Sequence, residues 1–183
     1  GLCRSLRHLG LFVTMRDSAT AAFRHANTPL ERSQLLPCVV QAAWRLGKWE
    51  DVRNQLATCE YPSSSMTTWN SGYAAYDGFL SPAHATPRCD TSLMTSDDLY
   101  ETELAHALLC LHDGRADAIS THASAARKAL IPQIAAAGMD SYSRAYGSLV
   151  KLQVLQELQA AAPLLLAIAS RRDEDKGLAL VSS

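Results

Sequence analysis

The residues best suited to chemistry in this chain are His106, Cys110 and His112, which make an H-x3-C-x-H pattern. Imidazole and thiolate are zinc ligands, but a structural zinc site takes four of them and no second cysteine stands nearby. On a helix, positions 106 and 110 share a face while 112 points elsewhere. The pattern therefore reads as a helix carrying two polar histidines and a small buried thiol. A cysteine with His and Asp elsewhere could also serve as a nucleophile, but no neighbouring charge or helix start is placed to activate the thiol. Ser33-Gln34 is a dipeptide that some kinases modify, and one Ser-Gln in a chain of 183 residues is expected by chance. Trp44 and Trp49 could line a peptide groove, but their helical spacing favours core packing. The sequence shows no Gly-rich phosphate loop, no His-Arg-Asp-like or Asp-Phe-Gly-like element and no Gly-x-Gly opening a helix. No catalytic, cofactor-binding or metal residue is assigned, and no cofactor is expected.

The elements that hold these residues are helices. Hydrophobic content is 48% with 7% aromatics, as in a globular helical protein. Lys plus Arg number 17 against 18 acidic residues, scattered and without aromatic interleaving, so direct nucleic-acid binding is not expected. Five cysteines, Cys3, Cys38, Cys59, Cys89 and Cys110, form no CxxC pair, a usage that fits a reducing, intracellular compartment. The apolar run from Ala160 to Ala169 contains Pro163 and is too short to span a bilayer. No membrane partner is expected. The chain opens at Gly1 directly into a helical pattern, which reads as a piece of something longer.

Leu36, Val39, Val40, Ala43 and Leu46 recur at helical spacing, Gly47 follows, and Trp49, Val52 and Leu56 start a second stripe. Glycine at a helix C′ position takes the left-handed conformation without a Cβ penalty. The stretch is thus a tight helical hairpin, with Trp49 expected to be mostly buried between its helices. The same Gly-x-apolar-x-x-apolar pattern recurs at Gly10 and Gly114. The fold expected is all-α, stacked antiparallel helical hairpins in a tetratricopeptide-like α-solenoid.

The hairpins occupy about 2–26, 31–59 and 98–136, with Pro37 early in its helix and Pro132 a kink or break. Asp98-x-x-Glu101 is a candidate capping box. Residues 70–97, rich in Gly, Pro, Ser and Thr, read as a loop insertion after a possible short helix at Thr68-Trp69. Gly138 closes one helix, and Asp140 or Ser141 caps the next. That helix runs from Tyr142 to about Ala160, with Tyr142, Ala145, Tyr146, Leu149, Leu152, Leu155 and Leu158 on one face. Pro163 starts a last helix, giving a helical segment over 1–170 and a charged linker or tail over 171–183.

Two stretches carry a family resemblance. Gln41-Ala42-Ala43-Trp44-Arg45-Leu46-Gly47-Lys48-Trp49 with Asp51-Val52, followed by Thr67-Thr68-Trp69, resembles the helical FAT domain of the phosphatidylinositol-3-kinase-related kinases, and within them the checkpoint branch typified by ATR. Ser141-Tyr142-Ser143-Arg144-Ala145-Tyr146, with Leu149-Val150-Lys151-Leu152 and Leu155-Gln156-Glu157-Leu158, is similar to a run further along the same domain. Ala129-Leu130-Ile131-Pro132 with Ala135-Ala136 matches a helix end between them. The resemblance covers roughly 35–160. It implies a non-catalytic helical scaffold of a nuclear serine/threonine kinase acting in the DNA-damage checkpoint. Its implied partners are the kinase domain of the same chain, a second copy in a homodimer, and other proteins. The alternative is a stand-alone tetratricopeptide-like adaptor that binds peptide segments.

Overall fold

In the computed structural model, residues 2–60, 89–137 and 142–181 are described. The described residues are mostly helical, with one two-residue strand pair, a 3-10 turn and short connecting turns. The helices are α1 (Leu2–His8), α2 (Phe12–His25), α3 (Pro29–Arg45), α4 (Trp49–Leu56), α5 (Ser96–His112), α6 (Ala116–Ala137) and α7 (Tyr142–Val181). The expected all-α fold is thus observed. The chain divides into two compact units, Gly1–Thr102 and Glu103–Ser183.

Three turns share one geometry. Gly10, Gly47 and Gly114 have φ of 70°, 67° and 74°, the left-handed region that suits a residue without Cβ. At Gly47 the Lys48 N–H reaches the Ala43 carbonyl at 2.9 Å and the Gly47 N–H reaches that of Trp44 at 3.0 Å. Leu11 to Leu6 and Gly10 to Arg7 repeat this at 3.0 and 3.1 Å, and Arg115 to Cys110 and Gly114 to Leu111 at 2.8 and 3.2 Å. Each is a Schellman closure, in which the turn's N–H groups satisfy carbonyls orphaned at the helix end. The sequence repeat Gly-x-apolar is therefore a repeat of hydrogen bonding.

In the first unit α1–α2 and α3–α4 form two hairpins. Leu6, Met15 and Ala42 make a buried cluster with Phe12 and Cys38 packed on it, and Leu36, Val39, Val40, Ala43 and Val52 are fully enclosed. Leu2 and Leu9 lie outside, at 65% and 70% exposure: α1 has only seven residues and ends before Leu9, and Leu6 is the leucine that packs on Met15 of α2.

The corner between the hairpins is pinned by charge. Arg32, itself 6% exposed, donates through Nε to the Ala26 carbonyl at 3.2 Å and lies over the Phe23 ring, 4.8 Å from its centroid. α3 starts earlier than its apolar stripe suggested. Thr28 is its N-cap, Pro29 is in its first turn, and Thr28 with Glu31 forms a capping box. Pro37 is consequently interior and buried, so the proline at the tolerated early position is Pro29.

The end of the expected 70–97 insertion is ordered where it is described. Cys59–Glu60 pairs in parallel with Cys89–Asp90, and a 3-10 turn covers Thr91–Leu93. Ser33 of α3 ties this segment down: its hydroxyl accepts from the Asp90 N–H at 2.9 Å and has the Pro29 and Asp90 carbonyls within 2.8 and 2.9 Å. Residues 61–88, with Thr68-Trp69 and the bulk of the insertion, and 138–141, with Gly138, Asp140 and Ser141, lie outside the described residues.

α5 begins at Ser96, and its cap is Thr95 rather than Asp98. Thr95 Oγ1 accepts from the Asp98 N–H at 3.2 Å and donates to Asp98 Oδ2 at 2.7 Å, so Asp98 holds the capping hydroxyl in place. Glu101, expected there, instead accepts from Gln41 Nε2 at 2.9 Å and joins α5 to α3.

In the second unit α6 presents Ile119, His122, Ala123, Ala126, Ala129, Leu130 and Ala137 as one buried stripe. Pro132 sits inside the helix without ending it. α7 packs on α6 through Ser148, Leu155 and Ala162, and the Ser148 hydroxyl donates to Gln133 Oε1 at 2.9 Å. Arg127 and Gln159 add a second side-chain bond between the same helices.

α7 passes through Pro163 and does not restart there. The charged segment read as a linker continues its backbone to Val181. Arg171-Arg172-Asp173-Glu174-Asp175-Lys176 holds opposite charges three and four apart and no β-branched residue, a composition that supports helix.

Candidate functional site

The H-x3-C-x-H residues part company in the structure. His106 and Cys110 face inward, while His112 is exposed and pairs with Asp113 at 3.1 Å. Cys110 is 1% exposed, and burial pushes its thiol pKa up to about 11, away from the nucleophilic thiolate. No group of three or more His, Cys, Asp and Glu able to hold a metal occurs among the described residues.

His106 instead meets two residues that the sequence pattern did not single out. Its ring stacks on that of His122, with centroids 4.7 Å apart and planes at 8°. His122 Nδ1 lies 2.8 Å from Glu103 Oε2, both side chains being almost fully enclosed. Desolvation first, then the charges of His122 and Arg115, hold the His106 pKa well below its ordinary value. The neutral imidazole is the stable form. Glu103 and His106 are one turn apart on α5, and His122 falls on the apolar stripe of α6. A polar residue inside an apolar stripe was the available signal.

Ser33 is fully buried and engaged with Asp90, so the Ser33-Gln34 dipeptide presents no accessible hydroxyl. Trp44 and Trp49 are both partly exposed. Trp49 is therefore not the mostly buried residue its stripe predicted. It is the first residue of α4, at the hairpin tip, and Val52 and Leu56 one and two turns on fill the interior. Trp44 is covered by the Arg45 guanidinium, 4.6 Å from its ring centroid.

In the second unit one face of α7 is apolar and exposed. Tyr146, Val150 and Val154 recur every fourth residue at 56%, 45% and 41% exposure, and Leu164, Leu165 and Ile168 follow at 67%, 49% and 63%. Tyr146 and Leu149, assigned by the sequence stripe to the packed face, belong to this outer one. α7 thus has an inner face on α6 and an outer apolar face open to water. The arrangement offers surfaces. No helix among the described residues is long and apolar enough to cross a membrane.

Comparison with known proteins agrees with this architecture. The FAT domain family model matches residues 36–178. The serine/threonine-protein kinase ATR of Arabidopsis thaliana is 32% identical over 120 residues, 66% of this chain. ATR of Oryza sativa subsp. indica is 31% identical over 126 residues, 69% of the chain, and the kinase TOR of Arabidopsis thaliana is 24% identical over 131 residues, 72% of the chain. The matched stretch is 4% of the length of each relative. No solved structure matches. The chain belongs to the FAT domain family.

Proposed function

We propose that this chain is a non-catalytic scaffold segment of an ATR-like serine/threonine kinase that acts in the nuclear DNA-damage checkpoint. In this reading the hairpins form a tetratricopeptide-like helical segment over 1–170, residues 70–97 are an insertion within it, and 171–183 lead on from it. The segment supports the kinase domain of the same chain and the contacts of a dimer or other partners. Its own residues bind no nucleotide.

The observation that carries the reading is the doubled apolar character of α7. One face is spent on α6, through Leu155 and Ala162, while Tyr146, Val150, Val154, Leu164, Leu165 and Ile168 stand in water. Helical repeats cannot bury both faces of a helix alone and rely on a stacked neighbour. Exposed apolar side chains grouped on a helix face mark an interaction site, and here they form two patches, Tyr146 to Val154 and Leu164 to Ile168, with the exposed Gln153–Glu157 pair between them. The similarity to ATR supports an ATR-like kinase as the parent, and the matched relatives are serine/threonine kinases many times longer than the match.

Long-read sequencing of the transcript across the Ser183 codon tests the reading. An open frame running on into a kinase domain is expected. A stop codon soon after Ser183 would overturn it in favour of a stand-alone adaptor.

A further inference from the structure

Cys3 of α1 and Cys38 of α3 come together in the first unit. Leu6 and Ala42 meet in the buried cluster of that unit, and Cys38 packs on the same cluster. The chain reverses between α1 and α2 and again between α2 and α3, so α1 and α3 run the same way. Cys3 stands three residues before Leu6, and Cys38 four before Ala42. One turn back from the Leu6–Ala42 contact on either helix therefore leads to a cysteine on the contacting face. The two thiols accordingly share a side-chain hydrogen bond, and both residues are partly exposed.

Ionisation is unevenly divided between them. Burial first, and then the charge of Cys3, pushes the Cys38 thiol up to about 12, while Arg7 of α1 pulls it down. Cys38 thus resists ionising for as long as Cys3 carries the charge. The thiolate is the reactive form, so Cys3 reacts first with an electrophile. Once the Cys3 sulfur is oxidised and neutral, one cause that keeps Cys38 protonated is gone and Arg7 remains. Cys89 and Cys110 are buried, out of reach of an oxidant in solution.

We propose that Cys3 and Cys38 form a reversible disulfide that fastens α1 to α3 when the chain meets a hydroperoxide. The Cys3 thiolate attacks the peroxide, an S–O bond forms as the O–O bond breaks, and the displaced oxyanion takes a proton. Cys38 then gives up its proton and attacks the Cys3 sulfur, the S–S bond forms as the S–O bond breaks, and water leaves. Two thiols are oxidised and one peroxide is reduced. Two molecules of a small thiol reverse the bond by exchange and leave as their own disulfide. The site stands on the first unit alone and does not depend on the scaffold reading.

Hydrogen peroxide treatment of the whole chain, followed by alkylation and non-reducing peptide mapping of the monomer, tests the proposal. The peptides holding Cys3 and Cys38 should be recovered as one species, two hydrogens lighter than their sum, and dithiothreitol should separate them. The oxidised chain should unfold at a higher urea midpoint than the reduced one, because the bond restricts the unfolded ensemble. Cys3→Ser should abolish both the linked species and the shift. Cys38→Ser should leave the Cys3 sulfenic acid without its second thiol, so dimedone should label Cys3 in that variant. Reduced urea midpoints equal to wild type establish that the variants fold. Peroxide that leaves both cysteines open to alkylation, or that links either one to a different cysteine, would overturn the proposal.

Discussion

The imidazoles of His106 and His122 are stacked across α5 and α6, 4.7 Å between centroids and 8° from parallel. Two histidines this close and this enclosed cannot both carry charge cheaply. Glu103 Oε2 lies 2.8 Å from His122 Nδ1. His106, fully desolvated and facing His122 and Arg115, is the one held neutral.

A pH dependence follows. The folded pKa of His106 lies well below the ordinary 6.5, so below that pH the unfolded chain binds more protons than the folded one. Stability is then full above about pH 6.5 and falls as pH drops, by at most about 1.4 kcal/mol per unit for one group. Urea unfolding between pH 7 and 5 should show this slope in wild type and a shallower one in His106→Gln. Equal slopes would show that His106 is not the buried neutral group.

The glycine turns should be fragile for conformational reasons alone. A Cβ built on Gly47 meets no atom within 4 Å, so substitution brings no clash, only the left-handed φ of 67°. Gly47→Ala should cost about 1–2 kcal/mol and Gly47→Val more, because β-branching adds strain there. Lys48→Ala, exposed at the same tip, should stay within about 0.5 kcal/mol. Trp49→Ala should fall below the roughly 3–5 kcal/mol of an enclosed aromatic. A Gly47→Ala variant as stable as wild type in urea would contradict the Schellman account.

The two faces of α7 should respond differently to truncation. Leu155 is fully buried and Leu164 is 67% exposed. Leu155→Ala should cost about 2–5 kcal/mol through lost burial and the cavity left behind, and Leu164→Ala no more than about 0.5. Equal losses in urea unfolding would mean that both faces are packed within this chain.

Thiol reactivity should follow depth. Cys89 and Cys110 are 0% and 1% exposed, and burial and the neighbouring Cys3 raise the Cys38 pKa to about 12. In the folded chain at pH 8, Ellman's reagent should leave Cys89 and Cys110 untouched, and both should react in urea. Rapid native labelling of Cys110 would contradict its placement.

The hairpins were legible in the sequence because glycine at a helix end is read by backbone chemistry, which needs no knowledge of neighbours. Gly10, Gly47 and Gly114 each fix two hydrogen bonds locally. What lay outside reach depended on partners far along the chain. Ser33 looks like an ordinary polar residue until Asp90 closes on it. Tyr146 and Leu149 fit a leucine stripe at helical spacing, and only packing against α6 reveals that Leu155 turns inward while those two are exposed. The Glu103–His122–His106 cluster joins residues from two helices, and the H-x3-C-x-H pattern within one helix drew attention from it. Pro163 failed as a breaker because the residues around it, Ala160 to Leu166, are strong helix formers.

The outer face of α7 is the central claim, and the proposed full-length kinase tests it most directly. Val150→Asp with Val154→Asp changes only exposed positions, so the 183-residue chain carrying both should unfold at the wild-type urea midpoint. Activity of the purified parent kinase toward a Ser-Gln peptide is the decisive measurement. The account predicts that the double variant loses most of that activity because the face no longer docks. Full activity in the double variant would contradict it.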